Sequence, residues 1–298
     1  DLVWAKTRND TQDHQVIDAV RGATKLLATN GTPAEFDDAN NLTSFNTDGF
    51  TIGSSGGING SSDTLVGWCW KESATSGFDI VTYTGNDTAR TISHSLSAVP
   101  KFYVVKQRSD TGGWIVYHAG NTAAPETDYL RLDKSDATVD DAIFNDTAPT
   151  SSVFSVGTNA PVNGNTETYV TYLWAEKQGF SKIGSYVGNG TEGESTDGPF
   201  VYTGFAPAWI MMKPISTTDH WRMQDIKRVF SASLYPHLTS AEPSQTGSPI
   251  EFCATGFKIR NVDPDDNTDG VTYVYMAFAN APLVNSNGVP ANAGVVVT

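Results

Sequence analysis

PVNGNTETYVTYLWAE, residues 161–176, decides the fold. Pro161, Asn163, Gly164 and Asn165 are turn formers, and the run from Thr168 to Trp174 is β-branched and aromatic with no helical face. It reads as a turn feeding one long strand. The device occurs twice more, as INGSSDTLVGWCWKE at 58–72 and DDNTDGVTYVYMAFAN at 265–280. The central valines Val66, Val170 and Val274 stand 104 residues apart. A strand recurring at a fixed period marks a repeat protein.

Working outward from the strand, the second copy is the clearest. DIVTYTG, RTISHSL, KFYVVKQR, WIVYHA, YLRLDK and VFSVG read as short strands separated by turns, of which SDTGG at 109–113 is a hairpin. About seven strands per hundred residues is the spacing of an antiparallel sandwich or jelly roll. The third copy repeats this order from Gly179, with an insertion at 190–204 that carries a second Tyr-Thr-Gly at Tyr202. The expected fold is therefore all-β: tandem antiparallel β-sandwich repeats, jelly-roll and lectin-like, of about a hundred residues. The units run 1–76, 77–178 and 179–283, with a linker or tail at 284–298. Residues 15–27 have partly helical spacing, but Gly22 interrupts a helix, and the repeat register predicts two strands and a loop.

The first copy starts late. LVWAK at 2–6 aligns with the third strand of its sisters, so its two opening strands are missing. Such a sandwich exposes an open edge and half a core. The expectation is that the chain is a piece of a longer polypeptide, or that another subunit supplies the strands.

Composition excludes several classes of function. The net charge of −14 argues against nucleic acid, which requires a cationic face, and against anionic membranes. No stretch approaches the roughly 20 apolar residues of a membrane span. Cys69 and Cys253 occupy unrelated repeat positions and are expected to be free, buried thiols. Catalytic signatures are missing and the five histidines are scattered, so no enzyme is expected.

Asp265-x-Asn267-x-Asp269-Gly270 has the alternating oxygens of a calcium loop, although the twelfth position falls on Met276. An Asn/Asp/Gly turn accounts for the same residues, so no cofactor is required and calcium is the one ion considered. Trp70, Trp174 and Phe278 share one register and are expected in the core. Trp114 and Trp221 follow turns and are the candidates for an exposed, sugar-stacking ring. Lys6, Lys106 and Lys213 end equivalent apolar strands and are expected to cap them where they meet solvent.

Taken together, PKFYVVK and PAWIMMK, the Trp hairpin after them, the Asp-Gly-Phe-x-(Ile/Val)-Gly strand and the Val-Asn…Tyr-Val…Ala-Glu strand carry a resemblance. The chain is similar to the repeated β-sandwich modules of tailed-phage virion proteins, mainly tail-fibre proteins of marine phages. The resemblance implies a structural protein on the outside of the particle, partnered by other virion proteins, commonly as a homotrimer, and attached to host surface glycan. A purely architectural role and a tailspike polysaccharide depolymerase are the alternatives. No catalytic residues come with it. Function is expected in the loops where the copies differ, at 119–128, 134–152, 190–198, 231–248 and 263–269.

Overall fold

The computed structural model describes residues 1–191, 198–228, 232–243, 249–281, 283–284 and 290–291. The expected tail at 284–298 lies outside them, apart from strand positions 284 and 290–291. The expected variable loops at 190–198 and 231–248 are described only in part.

The chain is nearly all β. Its first third carries β1 (Leu2–Thr7), β2 (Gln15–Asp18), β3 (Lys25–Ala28) and β4 (Phe36–Asp37). Then come β5 (Leu42–Asn46), β6 (Gly49–Ile52), a single turn α1 (Gly56–Asn59) and β7 (Leu65–Trp70). The second third has β8 (Phe78–Thr84), β9 (Arg90–Ser93), β10 (Phe102–Gln107), β11 (Trp114–His118) and β12 (Asp128–Arg131). It continues with β13 (Val139–Asp140), β14 (Val153–Val156), α2 (Ala160–Asn163) and β15 (Thr168–Trp174). The last has β16 (Ser181–Val187), β17 (Phe200–Tyr202), β18 (Pro207–Pro214), β19 (Arg222–Asp225), β20 (Ile250–Cys253), β21 (Gly256–Ile259) and β22 (Thr272–Ala279). Residues 15–28 form two strands, as the repeat register predicts.

Each third is built on one large antiparallel sheet, with orders β4-β3-β2-β1-β7, β13-β12-β11-β10-β15-β8 and β16-β22-β18-β19. The repeated strands β7, β15 and β22 pair with β1, β10 and β18. The register is the same each time: Val66 faces Lys6, Val170 faces Lys106 and Val274 faces Lys213. Smaller sheets, β5-β6, β14-β9 and β17-β21-β20, cover one face of each large sheet. Successive side chains point to opposite faces of a strand, so each large sheet has a second face to bury. Tyr103 and Val105 enter the second copy's own sandwich core, with Phe154 and Leu173.

The opposite faces of all three large sheets meet in one common core. It contains Leu2, Trp4, Trp68 and Trp70 of the first copy, Phe102, Trp114, Tyr172 and Trp174 of the second, and Trp209, Met211, Trp221 and Phe278 of the third. The copies are thus not beads on a string. Trp70 lies edge-on to Trp174, Trp209 and Phe278, with centroids 5.9, 5.6 and 5.8 Å away. The expectation that Trp70, Trp174 and Phe278 are core residues holds.

One set of equivalent backbone hydrogen bonds between copies runs in a single cyclic direction. Glu35 N donates to Arg108 O at 2.8 Å, Thr138 N to Ile215 O at 2.8 Å, and Glu242 N to Arg8 O at 2.6 Å. The last closes the third copy onto the first. At two of the three junctions a buried ionic set sits on this bond. Arg21 binds Asp18, Glu35 and Val16 O, and Glu35 also grips Arg108. Arg228 binds Asp225, Glu242 and Met223 O, and Glu242 also grips Arg8. At the remaining junction His118, Asn121 and Thr138 stand in the equivalent places, and Thr138 Oγ1 donates to Asn121 Oδ1 at 2.6 Å. Burial holds His118 down to about 4, so this set is neutral.

The three lysines correct an expectation. Lys6, Lys106 and Lys213 are buried, not at a solvent boundary. Each ammonium turns back onto backbone carbonyls: Thr7 and Asp10, Gln107 and Thr32, and Pro214 and Thr217. A buried cation needs such partners, because it has left water.

Candidate functional site

Trp114 and Trp221 do not offer open rings. Both are 1 % exposed, and each indole N–H donates to a carbonyl of the preceding copy. Trp114 Nε1 reaches Ala28 O at 2.9 Å and Trp221 Nε1 reaches Arg131 O at 2.8 Å. They stand just after turns because those turns deliver them to the junctions. The expectation of sugar-stacking rings there is overturned, since a ring enclosed by its neighbours has no free face.

The calcium-loop residues are likewise engaged in structural contacts. Asn267 is buried; its Nδ2 donates to Thr191 O and Asn261 O, and its Oδ1 accepts from Asn189 N. Asn163 makes the matching bonds to Thr88 O, Gly157 O and Asn86 N in the second copy. The side chain is a turn clamp common to the repeat. Asp265 accepts from Arg222 at 3.2 Å and from His220 N at 2.8 Å, and Asp269 packs beside Gly190. Among the described residues no group of three or more His, Cys, Asp or Glu side chains is placed to hold a metal ion.

Asp265 belongs instead to a buried network in which Arg222 meets Asp263, Asp265 and Asp266. Burial pushes Asp266 up to about 8; Arg222 pulls the other way, and Asp263 and Asp265 add to the rise. One guanidinium faces three carboxylates, which compete for its charge. The second copy has Ile115 at the position of Arg222, within its apolar core. The network replaces that apolar packing in the third copy.

What does face solvent is an aromatic pair on β17. Tyr202 is 67 % exposed and Phe200 is 49 % exposed. β17 belongs to the insertion at 190–204 that the sequence marks out by its second Tyr-Thr-Gly. Gly204 follows Tyr202 with φ +85°, and a Cβ there would lie 3.7 to 3.8 Å from the tyrosine ring. The positive φ is what calls for glycine at this turn. Tyr202 forms one wall of a cleft of about 410 Å³. The other walls are Glu176, Gln178, Lys182 and Thr203. Glu176 is fixed from two sides: Ile183 N donates to its Oε1 at 2.8 Å, and the Lys182 ammonium lies 3.1 Å away. Glu176 lies just past the end of the repeated strand β15, so the second copy's scaffold and an insertion from the third build the cleft together.

This cleft combines one open ring, a positioned carboxylate, an amide, an ammonium and a hydroxyl. An aromatic face stacks on the C–H face of a sugar or similar flat apolar surface, while the polar groups bond hydroxyls around it. Neither β17 nor the cleft was legible as a site in the sequence. The one available signal was the duplicated Tyr-Thr-Gly in an insertion peculiar to one copy.

A family model described as a domain of unknown function (DUF7483) matches residues 1–282. No curated protein and no solved structure matches the chain.

Proposed function

We propose that the chain, which belongs to this family, is a non-catalytic structural and adhesive body of a phage particle. In this reading it is a tail-fibre or receptor-binding segment built of three jelly-roll-like repeats, exposed on the virion and in contact with host surface glycan. The observation that carries it is Tyr202: a ring two-thirds open to solvent, next to a glycine turn, lining one cleft with the positioned Glu176 carboxylate. Three copies sharing one core make a stiff body, which suits a part that bears load and presents a small contact site. Affinity then comes from many weak sites in an assembly, with other virion proteins and a homotrimer as the expected partners.

The test is a glycan array and a host-cell binding assay with the chain and its Tyr202→Ala variant. Binding by the first and its loss in the second, with unchanged unfolding, is the expected result. Failure of the wild-type chain to bind any glycan or host cell, while it still incorporates into particles, would leave the architectural reading.

A further inference from the structure

Two of the three junctions are filled by an indole, which does not titrate, and the third by an imidazole. Strand pairing sets the equivalence. Trp114 and Trp221 directly precede Ile115 and Arg222, which pair with Val105 and Met212. His14 directly precedes Gln15, which pairs with Ala5. The two indoles donate to the carbonyls of Ala28 and Arg131 in the preceding copy. Tyr235 is the third copy's equivalent of Ala28 and Arg131, because Leu27, Leu130 and Leu234 pair with Val16, Val116 and Met223. His14 is fully buried where the third copy meets the first. Arg228, His237 and the Tyr235 backbone of the third copy stand around it, with Lys6 from its own.

These histidines have no free place for a further proton. Nδ1 of His14 accepts the Trp4 indole N–H at 3.1 Å, so the ring's own proton is on Nε2. A proton added to Nδ1 sets donor against donor. His237 Nε2 and His220 Nδ1 are 2.7 Å apart, a contact that one shared proton bridges and two break. His237 is buried, with Lys213 as its cationic neighbour. His220 is exposed, beside the Tyr235 ring at 5.1 Å and the carboxylates of Asp263 and Asp265, which Arg222 already engages. Burial and these cations hold His14 well below the usual histidine range and His237 down to about 3.

The cluster sits on a segment that ties the two copies together. Leu234 and Met223 exchange two backbone bonds of 2.8 and 3.0 Å. Thr29 Oγ1 donates to Pro236 O at 2.6 Å. Glu242 N donates to Arg8 O at 2.6 Å, and its carboxylate lies between Arg8 and Arg228. We propose that residues 232–243 form an acid-released strap: protonation of His14 and of the His220–His237 pair lifts residues 234–238 off the first copy and off β19, while Glu242 keeps the far end tied to Arg8 and Arg228. Opening uncovers the first copy around His14 and Thr29. Trp114 and Trp221 give the other two junctions no titrating group at this position. This inference does not rest on the glycan reading, and Tyr202→Ala leaves it untouched.

The closed strap keeps His14 and His237 neutral at pH 5, whereas the open strap lets both charge. The opening equilibrium therefore rises about tenfold per histidine per pH unit below the ordinary value of 6.5, or about thirtyfold for each at pH 5. The test is hydrogen exchange on the full chain at pH 7 and pH 5, corrected for intrinsic rates, with the Trp4 indole N–H followed by NMR. At pH 5 the amides of Leu234 and Met223 should lose protection at least about a hundredfold relative to β10, and the indole resonance should shift with them. His14→Asn combined with His237→Gln places uncharged amides where the ring nitrogens bond, and should retain at pH 5 the protection seen at pH 7. Wild-type protection and an indole resonance unchanged down to pH 5 would overturn the proposal without recourse to the variant. An equal loss of protection in the double variant would overturn it as well, by moving the response from the histidines to the carboxylates.

Discussion

Trp70→Ala tests the architecture at its centre. Trp70 is buried and its ring meets Trp174 of the second copy and Trp209 and Phe278 of the third. Truncating a buried tryptophan costs about 3–5 kcal/mol, from lost apolar transfer plus the cavity left behind. Edge-to-face ring contacts are worth about 0.5–1.5 kcal/mol each beyond burial, and three vanish here, so the upper part of that range is expected. Because the rings come from three copies, the loss falls on the whole body. Urea unfolding followed by hydrogen exchange should show one cooperative transition in both proteins. With slopes of about 1–3 kcal/mol per molar urea, the midpoint should fall by more than about 1 M. Amides of β10 in the second copy and β18 in the third should lose protection together with those of β1. If β1 and β7 melt early while β10 and β18 keep wild-type protection, the copies are independent domains and the shared-core account is wrong.

Two further outcomes follow from the buried charges. Arg21→Met leaves Asp18 buried without its guanidinium, while Glu35 keeps Arg108, and should cost about 3–5 kcal/mol in denaturant unfolding. The triple variant Asp18→His, Arg21→Asn, Glu35→Thr installs the neutral set of the second junction and should be less damaging than the single change; a triple variant worse than Arg21→Met would refute the equivalence of the junctions. Stability should also rise with pH between about 8 and 10. Burial lowers Lys6, Lys106 and Lys213 to about 8. Over that window the unfolded chain holds protons the folded chain has shed, so unfolding becomes less favourable as pH increases. Above about 10 the trend reverses, because burial pushes Tyr117, Tyr169 and Tyr275 up to about 12 and the folded state keeps protons that the unfolded state loses. Urea midpoints from pH 7 to 11 should trace a maximum, and replacing all three lysines by methionine should flatten its rising side.

By itself, the sequence determined the strands and their period. Those rest on local chemistry: β-branched and aromatic runs, turn residues at fixed offsets, and a register that recurs every 104 residues at Val66, Val170 and Val274. The same register correctly resolved residues 15–28 into two strands and placed Trp70, Trp174 and Phe278 in a core. Whose core it was, only the tertiary structure decided. A strand apolar on both faces reads alike whether its second cover is its own sandwich or a neighbouring copy, so KFYVVK carried no sign that Phe102 and Val104 meet the other copies. Trp114 and Trp221 looked like surface rings because they follow turns, yet the closure of three copies into a ring turns those positions into junctions. The lysines looked like solvent-facing caps because they end apolar strands, yet those ends are buried in the assembled body. The Asp-x-x-Arg pairs at 18–21 and 225–228 were present in the sequence, but their meaning depends on Glu35 and Glu242 arriving from farther along the chain and on Arg108 and Arg8 arriving from the next copy. Burial on a second face, and partners brought by ring closure, are properties of the assembled body; no local pattern encodes them.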